Sequence, residues 1–234
     1  MDMLRGGQIT AADLTDWRKL GQGLHTRFLV GDISAGVRLL TAIGEAVDTA
    51  GHLEARLGTG YLDLKLMSGD AIYRDEEGGE HHVDWTTEHD LDLARRISHV
   101  AAERSIPADP RSVTVIELEL DTANGSVIAP VWSVLLTGGT IAQGRGTISD
   151  DVRDATNRVP IVSFGEGDPT PTPPRGLHVD LQVPYDVAEE RIAAAVAAGA
   201  TVVDDSQAPW TTILADPDGN TFGVNTFQPA PGLR

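Results

Sequence analysis

Two hexapeptides set the frame for this chain. Ile116-Glu117-Leu118-Glu119-Leu120-Asp121 and Leu177-His178-Val179-Asp180-Leu181-Gln182 alternate apolar and polar residues without a break, 61 residues apart. Period-two alternation is the pattern of a strand with one face in a core, and a fixed offset between two such strands marks an internal duplication. A helical stretch follows each. In the second copy Asp186 and Glu189 have capping-box spacing, Ile192, Val196 and several alanines supply an apolar face, and Gly199 is a stop. Thr201-Val202-Val203, Trp210 to Ala215 and Thr221 to Thr226 then read as strands, the last two joined by the turn Asp216-Pro217-Asp218-Gly219-Asn220. The order is β-α-β-β-β. The first copy, from Val113 to Phe164, fits the same order, with Val127, Val131 and Val134 packing its helix and Pro130 in the first turn. A stiff linker, Gly165 to Pro174, joins the copies.

The first half has no such repeat. Leu24, Thr26, Phe28 and Val30 alternate on one strand, and Leu62, Leu64 and Leu66 alternate against Asp63, Lys65 and Met67 on another. Between them Asp32 is an N-cap, and Val37, Leu40, Ile43 and Val47 recur at helical spacing, which predicts a helix from about Ile33 to Ala50 ended by Gly51. A further helix follows Thr87, whose spacing to Asp90 is that of a capping box, with Leu93, Ile97, Val100 and Ala101 inward. Ser105-Ile106-Pro107-Ala108-Asp109-Pro110 carries two prolines and no periodicity, so it is read as the boundary between domains 1–107 and 108–234. With 234 residues, two cores of ordinary size are expected, both of the α+β class.

Composition narrows the function classes. Acidic residues outnumber basic ones 35 to 18, for a formal charge of −17, which repels a phosphate backbone and an anionic membrane surface alike. There is no cysteine, so disulfides, thiol nucleophiles and thiolate metal sites are out, and any metal must use His, Asp or Glu. No apolar run reaches membrane-helix length, and the N-terminus lacks a secretory pattern. The expectation is a cytoplasmic protein with a small-molecule ligand and neither nucleic-acid nor membrane partners.

On these residues the second half resembles the glyoxalase-like branch of the vicinal oxygen chelate superfamily. The match rests on Leu177-His178-Val179-Asp180-Leu181 and on Leu214-Ala215-Asp216-Pro217-Asp218-Gly219-Asn220, and it spans about residues 113 to 227. The resemblance implies paired β-α-β-β-β modules whose sheets form a cup, with Glu117, Glu119, His178 and Asp180 lining it as ligand-binding residues. Metal-dependent members take one ligand from the first and one from the last strand of each module. Glu117 and His178 hold the first-strand positions, Thr221 stands at one last-strand position, and no counterpart is found near Ser163. A divalent cation and a metal-free organic ligand both stay open, the second favoured.

The first half resembles pterin-4a-carbinolamine dehydratase over residues 9 to 104. The run Thr26 to Ala35, His52, the strand Tyr61 to Ser68 and the helix beginning Asp90-Leu91-Asp92-Leu93 carry the likeness. The resemblance implies an antiparallel sheet with helices on one face, homodimers or higher homo-oligomers, and dehydration of a 4a-hydroxytetrahydropterin by a histidine set. The family's adjacent histidine pair is Gly51-His52 here, and its third histidine is Gly69. His52 is therefore the retained acid/base candidate. His81 and His82, in a segment longer than the family's turn, are candidates to fold back toward it; the alternative is an exposed hairpin with Asp75, Glu76, Glu77 and Glu80. His25, His89 and His99 are placed on strand or helix surfaces.

Overall fold

The computed structural model describes residues 1–122, 151–153, 160–166, 178–197, 200–215 and 221–227. These described residues fall into two compact units, one holding those within Met1–Thr114 and Pro184–Val187 together with Phe227, the other those within Val115–Val183 and Ala188–Thr226.

The first unit opens with a short helix α1 (Gly6–Ala11) and continues through β1 (Arg18–Leu20), β2 (Gly23–Leu29), α2 (Ile33–Ala46), β3 (Leu53–Gly58) and β4 (Tyr61–Leu66). A hairpin of β5 (Ser68–Arg74) and β6 (Glu80–Trp85) leads into α3 (Glu88–Glu103). β1 to β4 make one antiparallel sheet in the order β1-β2-β4-β3. Alternation works as expected: Leu24, Thr26 and Phe28 from β2 and Leu62, Leu64 and Leu66 from β4 are all buried, in a core shared with Leu39 and Ile43 of α2 and Ile97, Val100 and Ala101 of α3. Each such Leu, Ile or Phe contributes roughly 1.5–3 kcal/mol of hydrophobic stabilisation. On the opposite face, where solvent can compensate charge, Arg27 forks onto both oxygens of Asp63 at 2.6 Å, and Lys65 reaches Glu54 at 3.3 Å.

Helix α2 differs from its sequence reading in extent and in phase. Asp32 is the N-cap, its carboxylate accepting from the Ala35 amide at 2.6 Å. The helix stops at Ala46, and Gly51, with φ +78°, serves the turn into β3 instead of ending the helix. Gly36, Leu39, Ala42 and Ile43 face inward, whereas Val37 is 49% exposed. The cause is Gly36: a Cβ there would run into the Leu57 side chain. The helix leans on β3 at its bare backbone and turns the Val37 side outward.

The second unit is built on a six-stranded sheet in the order β10-β11-β12-β9-β7-β8. Its strands are β7 (Val115–Thr122), β8 (Ile161–Glu166), β9 (His178–Gln182), β10 (Thr201–Gln207), β11 (Thr211–Ala215) and β12 (Thr221–Asn225), with α4 (Tyr185–Ala197) between β9 and β10. The second copy of the duplication is thus β-α-β-β-β. Of the first copy, the first strand β7 and the strand β8 are described; the helix read at Val127, Val131 and Val134, the linker prolines, Gly199 and the turn 216–220 lie outside the described residues. Leu181, Val183, Leu214, Phe222 and Val224 pack with Ala188, Ile192 and Ala195 of α4, while Leu118, Val162 and Phe164 pack with Val152. Two readings of α4 need correction. Asp186 stands inside its first turn instead of capping it, and Val196 is exposed.

Candidate functional site

In the second unit, backbone pairing turns the duplication into a face. β7 and β9 run antiparallel with Glu117 opposite Asp180, Leu118 opposite Val179 and Glu119 opposite His178. The repeat offset of 61 maps Leu118 onto Val179, and these two are also direct partners. The two copies therefore meet about a local two-fold between β7 and β9. Alternation then puts Glu117, Glu119 and Asp180 on one side of the sheet and Leu118, Val162, Leu181 and Val224 on the other, with His178 at the register position opposite Glu119.

Two amides that the sequence reading did not single out complete this face. The Asn225 side-chain amide donates to Asp180 Oδ1 at 2.8 Å, and Gln182 Nε2 donates to Glu117 Oε2 at 3.2 Å. Both were legible as continuations of the alternation, Gln182 after His178 and Asp180, Asn225 after Thr221 and Gly223. Gly223, paired with Asp180 on the parallel neighbour β12, is required here: a Cβ at this position would collide with Asp180 Oδ1. The face can thus offer acceptor oxygens held in fixed directions by amide donors.

A four-ligand metal site is a poorer fit. The last-strand neighbour of Glu117 is Ile161 and that of His178 is Thr221. Hydrocarbon and a neutral hydroxyl stand where His or carboxylate ligands are needed. Among the described residues no group of three His, Asp or Glu side chains converges on one point.

In the first unit the structure brings three segments together at His52: the entry to β3, the start of β5 and the cap of α3. Its Nδ1 lies 3.0 Å from Asp90 Oδ1 and 3.2 Å from Ser68 Oγ. Asp90 is fully buried, and its second oxygen accepts from the Thr87 amide at 2.7 Å, Thr87 Oγ1 at 3.0 Å and Ser68 Oγ at 2.8 Å. Ser68 and Thr87 are themselves 2.8 Å apart and buried. The sequence shows Asp90 as half of a capping box, and the box exists. Its other oxygen does something the box does not need: it holds an imidazole. Because a carboxylate accepts only, the proton between Asp90 and His52 sits on Nδ1, and in the neutral form of the ring Nε2 is then the nitrogen with the lone pair. The His52 side chain keeps 20% of its surface open.

The histidine beside His52 is His89. Their ring centroids are 4.7 Å apart at 69°, an edge-to-face contact. His89 sits in the first turn of α3, one residue before Asp90, so the helix cap that brings in the carboxylate also brings in this ring. His81, in the β5–β6 hairpin, instead places Nε2 2.8 Å from Asp75 Oδ2 and lies near the Tyr73 ring. His82 is exposed on the next residue. Nor is His25 an ordinary surface residue: burial, with the ammonium groups of Lys65 and Lys19, pushes its pKa from 6.5 down to about 3.

Comparison with known proteins bears on the second unit. Residues 117–225 match the model of a glyoxalase-like domain family. The match begins at Glu117 and ends at Asn225, so it takes in the face just described. No curated protein matches the chain. Among the described residues no helix is long and apolar enough to cross a membrane.

Proposed function

We propose that this protein is a small-molecule enzyme in which the first unit is a hydro-lyase of the pterin-4a-carbinolamine dehydratase type and the glyoxalase-like domain binds an organic ligand without metal. The observation that carries the enzymatic half is His52: an imidazole tied through Nδ1 to a wholly buried carboxylate, with part of the ring open to solvent. Loss of water from a carbinolamine breaks a C–O bond while an N–H proton departs and a C=N bond forms. An oriented imidazole is suited to such proton transfer near neutral pH. Ser68 and Thr87 hold Asp90, Asp90 holds His52, and Nε2 takes the substrate proton. His81 and His82, candidates for a composite histidine set, have no role in this scheme.

A second assignment is supported by the family match, which covers the glyoxalase-like segment alone. There the working surface is the Glu117, Glu119, His178 and Asp180 face, and the first unit is an oligomerisation platform. Turnover of a 4a-hydroxytetrahydropterin by the full chain separates the two. Under the first assignment the protein accelerates dehydration and His52→Gln lowers kcat by about 100-fold, while Glu117→Gln leaves the rate unchanged. No rate above background at high protein concentration overturns it. Under the second, Glu117→Gln weakens ligand capture and His52→Gln does not.

A further inference from the structure

Dehydration of a carbinolamine needs two proton-transfer groups, one for the departing hydroxyl and one for the N–H, and Nδ1 of His52 is committed to Asp90. We infer that His89 is the second group. This inference rests on the dehydratase assignment above and names the partner that assignment lacks.

Three observations carry it. The His89 ring packs edge-to-face against His52 with centroids 4.7 Å apart, so one small substrate can touch both. His89 is partly exposed, as His52 is, so neither ring is sealed in the core. The chain also fixes its position twice over: His89 precedes Asp90 directly, and Asp90 is pinned by Thr87 and Ser68. Since Gly51 and Gly69 stand where the resemblance leads one to expect further histidines, His89 supplies from the helix cap the imidazole that those positions do not.

The proton balance is closed. His89 enters the cycle carrying a proton and His52 enters neutral, with its lone pair on Nε2. As the C–O bond breaks, its electron pair leaves with oxygen, and the His89 proton completes the water molecule. The nitrogen lone pair forms the C=N bond, and the N–H proton passes to His52 Nε2. The pair ends with its single proton on His52 instead of His89. Transfer between the neighbouring rings, or exchange with solvent, resets it. No oxidant, reductant or metal is required.

The test pairs turnover with ring NMR on the full chain. His89→Phe keeps an aromatic ring against His52 but cannot carry a proton, and His89→Gln keeps polarity without the ring. Both are expected to lose about 100-fold in kcat on 4a-hydroxytetrahydropterin, with KM changed by less than about threefold because binding contacts remain. His99→Gln, on the exposed side of α3 with Glu103, should keep the full rate. Retention of the rate within twofold by His89→Phe overturns the inference and leaves the dehydratase assignment standing. If the unaltered protein shows no turnover, the dehydratase assignment falls. The pair is then judged by titrating a reduced pterin and following the imidazole Cε1–H resonances. Shifts of both His52 and His89, with His99 unmoved, support a shared ligand site. A shift of His52 alone, or of neither, overturns it.

Discussion

The two candidate centres hold their charges in opposite ways. At His52 one buried carboxylate serves everything around it: an imidazole, two hydroxyls and a backbone amide. On the second unit's sheet two carboxylates, Glu117 and Asp180, face each other across a strand pair, and each takes a separate amide. The first centre concentrates fold and chemistry in a single residue drawn together from the β3 entry, β5 and the cap of α3. The second spreads them along adjacent strands whose register does the positioning. Damage to the first should therefore be all-or-none, and damage to the second graded.

The largest expected effect follows from that concentration. Asp90→Ala removes the acceptor for three buried donors besides the imidazole, stranding Thr87 and Ser68 and undoing the cap of α3. A cost of about 3 kcal/mol or more in urea unfolding is expected. Asp90→Asn retains an acceptor oxygen for the Thr87 amide and should cost less than half as much. If Asp90→Ala unfolds within about 1 kcal/mol of the unaltered protein, the carboxylate is not the keystone and the contrast between the centres is lost.

On the sheet face the sharpest probe is Gly223. Gly223→Ala drives a methyl into Asp180 Oδ1, so the carboxylate must swing away from Asn225, at roughly 2 kcal/mol for an overpacked site. Ligand capture should weaken with it, while Glu117, on β7 across β9 from β12, and Gln182, at the end of β9, stay paired. Adding Asp180→Ala to Gly223→Ala removes the colliding oxygen and should return part of the lost stability. A double-mutant cycle reads the coupling directly. Strictly additive losses would mean that the two residues do not meet.

How much of this was legible in sequence differs between the centres for the same physical reason. A strand states its own periodicity, so the repeat puts Glu117, Glu119, His178 and Asp180 at alternate positions of one face, whereas the pairing of β7 with β9 comes from the register alone. The alternation of β2 and β4 likewise gave the first sheet's buried side. What a linear pattern does not encode is which loop closes over which cap. Asp90 looked like half of a capping box because that contact is local, three residues from Thr87. Its hydrogen bond to His52 spans 38 residues and leaves no periodic trace. His89 was placed on a helix surface for the same reason, since helical phase alone does not tell solvent from an adjacent histidine. The phase of α2 is not carried by its apolar residues alone, because Gly36, which offers no side chain to count, permits the closest approach to Leu57.

The smallest expected effect tests how far local charge governs an imidazole in this fold. His52 is held by a carboxylate, whereas His25 lies opposite Lys65 on the same sheet's outer side, and burial together with Lys65 and Lys19 lowers its pKa to about 3 from 6.5. Above pH 6.5 His25 is neutral in both folded and unfolded chains and costs nothing. Below it the unfolded chain binds a proton that the folded one refuses, so stability falls as pH drops from 6.5 toward 3, by at most about 1.4 kcal/mol per pH unit. His25 is only half-buried by surface, so solvent screening trims the loss, and about 1 kcal/mol is expected between pH 7.5 and pH 5. His25→Gln carries no titrating group and should escape this share of the acid sensitivity, read as the difference in urea midpoints at the two pH values. If both proteins weaken equally, neither burial nor the two lysines hold His25 neutral, and its contrast with the carboxylate-held His52 has no energetic content.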